Sequence, residues 1–472
     1  MQDFLNFLDA LDSFLYYPVL IVVLIAAGLY FSFRTKFVQL RLCVESVRIM
    51  SERPVDMSAV SSFGALMVST ASRVGTGNII GVSTAICLGG PGAVFWMWVL
   101  AILGGASAFA ESTLAQIFRR KDKATGEGYG GPAYYIEAIF HSKALAVVFS
   151  LFLIATYAFG FNALASYNLQ STFSVYTFYD AGSTPLIIGL ILAVITGWCL
   201  FGGAKRIVRV TEVLVPVMGV VYVLTSIVIM AMKIHTLPDV LGLIMSDAFN
   251  FRAIGSGIAG SCLVYGIKRG LYSNEAGVGS APNAAASAET SHPVKQGLIQ
   301  MLSVYIDTIL ICTATAFMCL MSGVPVSPEL AGAQYVQAAL RADMGDFGPL
   351  FITFTMVLFA FTTLLGNLFY VDNALAYING KKMPGRKFMS VFRVICALVI
   401  LVGAVLPMAT AWNLADITMG GMALINIPCI MLAGGIVFKA LNDYEAQKRS
   451  GINPVFRASS IGLDPETLDC WK

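Results

Sequence analysis

The sequence predicts an all-α integral membrane protein with eleven transmembrane helices, and its composition and hydropathy pattern are the observations behind this prediction. Of the 472 residues, 57% are hydrophobic and only 12% are charged, whereas soluble globular domains have about 25% charged residues. The mean hydropathy is +0.77. Apolar runs of the roughly 20 residues that a helix needs to cross the hydrocarbon core recur along the whole chain. A soluble globular protein is therefore excluded.

Eleven apolar runs are predicted to span the membrane, with bounds near 14–33, 60–89, 93–118, 144–170, 185–202, 210–233, 253–286, 297–323, 347–377, 388–407 and 413–440. Between the first two, residues 35–54 place basic and apolar side chains at helical spacing, which predicts an interfacial helix. The stretch GGPAYYIEAIF, residues 130–140, predicts a second one. GGPGAVFW, residues 89–96, predicts a tight turn. From about residue 441 the polar sequence predicts a solvated tail.

The distribution of lysine and arginine predicts the orientation, because cytoplasmic connections carry an excess of these residues. With the N-terminus outside, the outer connections hold only Lys233, Arg252 and Arg341. The cytoplasmic connections then hold 18 basic residues: Arg34, Lys36, Arg41, Arg48, Arg53, Arg119, Arg120, Lys121, Lys123, Lys143, Lys205, Arg206, Arg209, Lys295, Lys381, Lys382, Arg386 and Lys387. We therefore expect the N-terminus outside and the C-terminus in the cytoplasm. The acidic start, MQDFLNFLDALDSF, predicts a first anchor rather than a cleaved signal peptide.

Two of the predicted spans are interrupted by glycine and polar residues, at ASRVGTGNIIG, residues 71–81, and at KRGLYSNEAGVGSAP, residues 268–282. Each interrupted span opens a run of five spans, and the two runs cross the membrane in opposite directions. This pattern predicts an inverted-repeat transporter. The predicted units are an extra N-terminal helix with its interfacial helix (1–59), a first repeat (60–233), a second repeat (253–440) and a cytoplasmic tail (441–472).

The interruptions predict a binding site, because backbone groups freed from a helix inside a membrane must find partners in protein or in a water-filled cavity. Freed amides at the start of a half-helix suit a carboxylate. Freed carbonyls at the end of the other half-helix suit a small cation. The alternative for residues 71–81 is a glycine-packed helix crossing that binds nothing.

Charged and hydroxyl side chains within the spans extend the site. Arg73, Lys268 and Arg269 are expected to face the bundle interior and to be paired. Their candidate partners are Glu111, Glu275, Asp307 and Asp372, and the pairs either hold the structure together or open during transport. Asp307 is alternatively a proton-coupling carboxylate. Thr362 and Thr363 either bond to their own helix or contribute oxygens to a sodium ion.

Catalytic motifs are absent from the sequence, so we expect no enzyme, no catalytic residue, no organic cofactor and no nucleic-acid partner. The three histidines have no metal-ligand spacing, and no nucleophile or phosphate-loop pattern is present. The nine cysteines are scattered without a CxxC pair, which favours a role in packing.

Long stretches of the chain resemble the alanine/glycine:cation symporter family. They are RVGTGNIIGVSTAICLGGPGAVFWMWVLA, FAESTLAQIFRRKD, GGPAYYI, LYSNEAGVGSAPNAAASA, HPVKQGLIQMLSVYIDTILICTATA and GINPVF. The resemblance covers nearly the whole chain. It implies a LeuT-type core of ten helices plus one extra N-terminal helix. It also implies sodium-driven uptake of small neutral amino acids, alanine and glycine above all.

The resemblance implies roles for individual residues at the break VGTGN, 74–78. The carbonyls of Ala71 and Val74 would bind one sodium ion together with the hydroxyls of Thr362 and Thr363. The substrate would be held by the residues at the two interruptions, namely the amides of Thr76 and Gly77, Asn78 close by, Tyr272 as a lid in place of the usual Phe, and Ser273 and Asn274.

Two departures from the family pattern fall at positions expected to face the substrate. In the fourth span, Ala165 and Tyr167 replace a glutamine and an asparagine. In the ninth, Asn367 stands where many members have Trp, and Val371–Asp372 stands where a Gly-Glu or Ala-Glu pair is common. We therefore leave open glutamine or another neutral amino acid as substrate. The sequence is also compatible with proton coupling through Asp307 or Glu275, with a non-transporting amino-acid sensor and with a channel.

Overall fold

A computed structural model describes residues 2–52, 59–122, 126–202, 204–250 and 261–471. Within these ranges the fold is almost entirely helical. The first half contains α1 (Gln2–Phe14), α2 (Ile21–Arg34), α3 (Val38–Arg41), α4 (Cys43–Met50), α5 (Ser62–Arg73), α6 (Val82–Gly89), α7 (Ala93–Ile117), α8 (Pro132–Phe140), α9 (Lys143–Ile154), α10 (Phe161–Ser171), α11 (Thr184–Leu200) and α12 (Ala204–Met232). Strands β1 (Arg120–Lys121) and β2 (Gly128–Tyr129) pair in antiparallel fashion.

The second half contains α13 (Leu237–Ala248), α14 (Cys262–Asn274), α15 (Ala281–Ser287), α16 (Pro293–Val304), α17 (Thr313–Leu320), α18 (Ala333–Met344), α19 (Phe347–Ile378), α20 (Arg386–Gly403), α21 (Met408–Leu432) and α22 (Gly434–Arg449). Short π-helical segments adjoin α-helices at Leu15–Leu20, Gly77–Gly81, Ala155–Gly160 and Tyr305–Cys312. Single 3₁₀ turns lie at Thr172–Val175, Ile234–Thr236, Pro328–Leu330, Ala458–Ile461 and Pro465–Thr467.

Seven helical segments of the described chain are long and apolar enough to cross a membrane: Leu5–Arg34, Ala93–Ile117, Lys143–Val175, Arg206–Met232, Pro293–Leu320, Phe347–Ile378 and Met408–Leu432. Each coincides with a predicted span. The other four predicted spans are also helical where the structure describes them, but they do not meet this criterion of length and apolarity. Two of them are broken into shorter pieces, α11 has only 17 residues, and α20 begins with basic residues. Residues 253–260 of the predicted seventh span lie outside the described residues.

Small residues allow the central helices to approach each other closely, as in other membrane helix pairs. Gly266 of α14 lies against α7, where an added Cβ would stand 2.5 Å from the carbonyl oxygen of Ala93. Gly104 of α7 faces the interruption in the chain after α14, and a Cβ there would come within 2.8 Å of the Cβ of Ala276. These contacts hold α7 beside the second interruption.

Helices form at both positions where the sequence predicts an interfacial helix, and a tight turn follows α6. Residues 35–52 form α3 and α4, and residues 130–140 contain α8. The tight turn after α6 has Gly90 at φ +94°, and the amide of Gly92 donates to the carboxylate of Asp247 (2.7 Å).

The expectation of a solvated tail is wrong. The first part of the tail belongs to α22, and the following residues fold back onto one end of α7 and one end of α16. We call the side of the bundle that carries these contacts the tail end, and the opposite side the far end. The amide of Phe456 donates to the carbonyl of Ser291 (2.9 Å). The ammonium of Lys295 contacts the carboxylate of Glu52 (2.6 Å) and Oδ1 of Asn453 (2.7 Å). The sequence-based expectation failed because it averaged polarity and overlooked isolated apolar anchors.

Trp471 is the last of these anchors. Its indole nitrogen donates to the carbonyl of Gln116 at the end of α7 (2.8 Å). Its ring packs edge-on against Phe456 at 5.4 Å, and the guanidinium of Arg119 lies 5.2 Å above it. The tail is therefore fixed to the bundle by an aromatic contact and a buried hydrogen bond.

We predict that Trp471→Ala releases the tail, because truncating a buried Trp costs about 3–5 kcal/mol. Limited trypsin cleavage after the exposed Arg457 should become at least about tenfold faster, since cleavage tracks the population of the opened segment. Ile452→Ala is the matched control, because Ile452 is 56% exposed on the same tail. Equal cleavage rates for Trp471→Ala and the unmodified protein would contradict the packing described above.

Candidate functional site

The first interruption separates α5 from the π-helical segment Gly77–Gly81 and α6. The amide of Gly75 donates to Oδ1 of Asn78 (2.7 Å) rather than to the carbonyl of Ala71 four residues earlier. The amide of Asn78 donates to the carbonyl of Gly75 (3.2 Å) rather than to that of Val74. The unwinding therefore frees the carbonyls of Ala71 and Val74 from helical hydrogen bonds. The amides of Thr76 and Gly77 open the second half-helix, where the first amides have no intrahelical acceptor.

Gly75 brings the interruption against α19. A Cβ added to Gly75 would stand 2.0 Å from Oγ1 of Thr363, so no larger residue fits there unless Thr363 shifts. The Thr363 hydroxyl is buried and has no hydrogen-bond partner. A buried hydroxyl without a partner is costly, and this one lies against Gly75, the residue that follows Val74 in the first interruption.

The second interruption lies between α14 and α15, within the segment predicted for it. Glu275 adopts a left-handed conformation (φ +52°), as do Gly277 (+82°) and Gly279 (+94°). A Cβ on Gly279 would come within 2.7 Å of the Phe149 ring. The chain unwinds here because glycine tolerates both the conformation and the close approach.

The two interruptions meet at a buried polar cluster. The amide nitrogen Nδ2 of Asn78 lies 2.7 Å from Oδ1 of Asp307 and 3.1 Å from the hydroxyl of Ser273. Ser273 and Thr308 both donate to the other carboxylate oxygen, Oδ2 of Asp307, at 2.7 and 2.8 Å. Asp307 lies in the π-helical segment Tyr305–Cys312, and such segments frequently occur at functional sites. Within the described residues no basic side chain forms an ion pair with Asp307.

A second buried network lies on the tail side of the first interruption. The hydroxyl of Ser72 is within hydrogen-bonding distance of Oδ1 of Asn367 (2.7 Å) and of Oε1 of Glu275 (3.2 Å). Nδ2 of Asn367 donates to Oδ1 of Asn162 (3.0 Å). Ser280 donates to Oε2 of Glu275 (2.6 Å). The network therefore joins both interruptions to α10 and α19.

Aromatic rings cover the first interruption on the far side. The Tyr272 ring lies on Gly77, where a Cβ would come within 2.5 Å of the ring. Tyr272 is packed between Phe161 (4.7 Å between centroids) and Trp412 (4.9 Å). Thr76, next to Gly77, accepts a hydrogen bond from the side chain of Asn168 on α10 (3.0 Å).

The basic residues of the spans are buried as expected, but their partners differ from the candidates. Arg269 pairs with Asp416 on α21, and Lys268 pairs with Asp12 on α1. Arg73 donates to the carbonyl of Gln300 (3.1 Å) and forms no ion pair among the described residues. The candidates for Lys268 and Arg269 were wrong, because they omitted Asp12 on α1 and Asp416 on α21.

Most of the predicted site residues come together. Thr76, Gly77, Asn78, Tyr272 and Ser273 surround the first interruption. Asn367 is linked to the first interruption by the hydrogen bond from Ser72. The side chain of Asn274 is buried at the second interruption, and its Nδ2 donates no hydrogen bond. Of the paired threonines, Thr363 faces Gly75, while the Thr362 hydroxyl bonds to the carbonyl of Leu358 on its own helix (3.0 Å).

Sequence reasoning missed Asn162 and Asn168. It expected Ala165 and Tyr167 to take the place of a polar clamp, whereas α10 presents Asn162 and Asn168 to the two interruptions. The available signal was the presence of two asparagines in an apolar helix, since polar residues in spans usually face the bundle interior.

Asp372, a candidate partner of the basic residues in the spans, instead lies 3.8 Å from Arg393.

Two broken helices whose ends meet at a buried polar site are a feature of secondary membrane transporters. The family model of the sodium:alanine symporter family matches residues 1–458. The chain belongs to this family and is a sodium-coupled amino-acid symporter.

Several known proteins are similar over nearly their whole length. The probable sodium/glutamine symporter GlnT of Bacillus subtilis (strain 168) is 40% identical in an alignment of 475 positions, which covers 100% of this chain and 97% of the relative. The sodium/alanine symporter AgcS of Methanococcus maripaludis is 36% identical over 456 residues, 94% and 98% of the two chains. The crystal structure of MhsT in complex with L-phenylalanine matches with a TM-score of 0.58 at 14% identity, covering 85% of this chain and 91% of that one. That similarity shows the LeuT-type fold.

We predict that Gly75→Ala lowers amino-acid transport by at least about tenfold, because its Cβ collides with Thr363 and forced overpacking typically costs about 1–3 kcal/mol. Gly81→Ala is the matched control. Its Cβ would meet Trp412 at an ordinary 3.6 Å, so transport should stay within about twofold of the original. Initial uptake rates, normalised to protein in the membrane, check both variants. Comparable losses in both would show that the fit between Gly75 and Thr363 is not the decisive contact.

Proposed function

We propose that this symporter imports a small neutral amino acid with sodium across the bacterial inner membrane, with its N-terminus outside and its C-terminus in the cytoplasm. The observation that carries the proposal is the combination at the first interruption. Two freed carbonyls and a hydroxyl without a partner lie next to two helix-opening amides. Oxygen atoms that can bind a cation thus lie next to amides that can bind a carboxylate, as a sodium ion and an amino-acid substrate require.

The proposed sodium ligands are the carbonyls of Ala71 and Val74 and the hydroxyl of Thr363. Thr362 joins them when its side chain rotates away from the carbonyl of Leu358. Oxygen ligands suit a hard cation. Sodium bound here would link α5 to α19 and hold the interruption in the form that receives the substrate.

The proposed carboxylate ligands are the amides of Thr76 and Gly77, oriented by Asn168 and by the side chain of Asn78. Tyr272 lies directly on Gly77, so the space beside these amides suits a short side chain, which supports alanine or glycine. Ser273 and Asn274 complete the substrate-binding set from the second interruption.

Glutamine is the second candidate substrate. Asn162 and Asn367 form an amide pair next to the interruption, and a carboxamide side chain could exchange hydrogen bonds with them. The 40% identity to a probable sodium/glutamine symporter supports the same alternative. Competition between amino acids decides between the two.

We further propose eleven transmembrane helices, with an inverted repeat formed by residues 60–233 and 253–440. An extra N-terminal helix precedes it in residues 1–59, and the cytoplasmic tail follows in 441–472. In support, each proposed repeat begins with a broken helix and the two breaks touch through Asn78 and Ser273. Alternating access would then rock these units about the site.

Proton coupling through Asp307 is the alternative for the driving ion. Asp307 is fully buried, and its carboxylate accepts hydrogen bonds from Asn78, Ser273 and Thr308. A buried ionisable residue of this kind in a span is a common element of proton pathways.

Uptake into proteoliposomes tests the proposal. Labelled L-alanine should accumulate with an inward sodium gradient and not with equimolar potassium, and unlabelled glycine should compete. If unlabelled glutamine competes more strongly than glycine, the glutamine alternative holds. Uptake driven by a pH gradient without sodium would replace sodium by protons as the coupling ion.

We predict that Thr363→Val raises the sodium concentration for half-maximal uptake by at least about tenfold, because a hydroxyl contact to a charged group contributes about 1.5–3 kcal/mol. Thr363→Ser is the matched control, because it retains the oxygen and should change that concentration by less than about threefold. The sodium dependence of the initial uptake rate measures both. An unchanged sodium dependence in Thr363→Val would remove Thr363 from the ion site.

A further inference from the structure

A compact cluster of two cations and two carboxylates lies between the aromatic cover and the far end of the bundle. Lys268 and Arg269 are consecutive on α14, while Asp12 comes from α1 and Asp416 from α21. Lys268 contacts Asp12 and lies 3.7 Å from Asp416, and Arg269 contacts Asp416. All four side chains are nearly buried, with at most 13% of any of them exposed.

We infer that α1 is a working part of the outer gate, and that Asp12 is a positioning residue which holds the outer half of the broken helix, α14, in its closed place. This goes beyond anchoring, the role expected of an extra N-terminal helix. The inference rests on the proposed alternating-access mechanism, in which α14 must move away from its neighbours to admit substrate from the far end.

The charges of the cluster balance only when α1 takes part. Without Asp12, two cations of α14 would share the single carboxylate of Asp416. A buried ion pair that loses one partner leaves an uncompensated charge in a low-dielectric environment. The cluster is therefore stable when α1, α14 and α21 are in contact, and Lys268 gains water when they separate.

A second residue of the N-terminal segment completes the contact. The Lys268 ammonium lies 5.0 Å from the centre of the Tyr16 ring, within the range of cation–π attraction. The Tyr16 hydroxyl lies 3.4 Å from the carbonyl of Asp416. Tyr16 is fully buried. The N-terminal segment thus contacts both α14 and α21 at the cluster.

A continuous path of contacts leads from the cluster to the substrate site. The Arg269 guanidinium lies 3.8 Å from the centre of the Trp412 ring. Trp412 packs against Tyr272, and Tyr272 covers Gly77. Movement of α14 that separates Lys268 from Asp12 would therefore also lift Tyr272 from the amides of Thr76 and Gly77, which are proposed to bind the substrate carboxylate.

Asp12→Asn tests the inference, with hydrogen–deuterium exchange of the full-length protein in detergent as the readout. Exchange in residues 262–274 should become at least about fivefold faster without substrate, while exchange in α22 stays unchanged. Asp9→Asn is the matched control, because Asp9 carries the same charge on the same helix and accepts a hydrogen bond from Asn413 on the exposed surface. This exchange measurement does not depend on which ion or amino acid is transported. A negative result would therefore overturn the role of Asp12 without affecting the proposed transport function. Conversely, a failure of the transport proposal would leave this measurement interpretable.

Transport provides the second readout. Asp12→Asn should lower the maximal uptake rate several-fold and leave the half-saturating substrate concentration within about twofold, because closure follows binding. Equal exchange in residues 262–274 for Asp12→Asn and Asp9→Asn would overturn the inference. If Asp12→Asn also accelerates hydrogen exchange in α22, a charge-swapped double variant, Asp12→Lys with Lys268→Asp, distinguishes a local effect from general destabilisation. Recovery of protection in residues 262–274 in the double variant supports the role of Asp12 in the gate, and no recovery overturns it.

Discussion

The structure depends on one constraint, that every backbone amide and carbonyl within the membrane needs a partner. At the first interruption this constraint is met only in part, because the Asn78 side chain captures the Gly75 amide and leaves the carbonyls of Ala71 and Val74 free. The Thr363 hydroxyl is left without a partner by the same close approach at Gly75. These oxygens and the neighbouring amides are the groups that an ion and a carboxylate would bind, which gives a reason for breaking a helix that could have been continuous.

The surrounding side chains isolate the site from both ends of the bundle. On the tail side, Ser72 joins Asn367 to Glu275, so the end of α5 is bonded to α19 and to the second interruption at once. On the far side, Tyr272 and Trp412 separate the site from the ion cluster around Arg269. Both sets of contacts are made in this structure. Alternating access would require each set to open in turn.

The fold was largely predictable from the sequence, because apolar length and interrupted glycine-rich segments depend on local composition. The positions of Tyr272 and Ser273 at the interruptions were predictable because a long motif carries both residues. Asn162 and Asn168 were missed because the side of α10 that faces the interruptions follows from packing against α19 and α20, which no local pattern encodes. The partners Asp12 and Asp416 were missed for a related reason, since each lies over 140 residues from the basic residue that it pairs with. The packed tail depends on single anchors such as Trp471, whose neighbours are polar.

If sodium completes the unwound backbone between α5 and α6, it must protect the amides of that segment. Hydrogen–deuterium exchange of the amides in residues 71–78 of the purified protein, in sodium and in equimolar potassium and without amino acid, measures this protection. Exchange at these residues should be slower in sodium, with little change in α22. Identical exchange in the two salts would show that no sodium ion binds at this interruption.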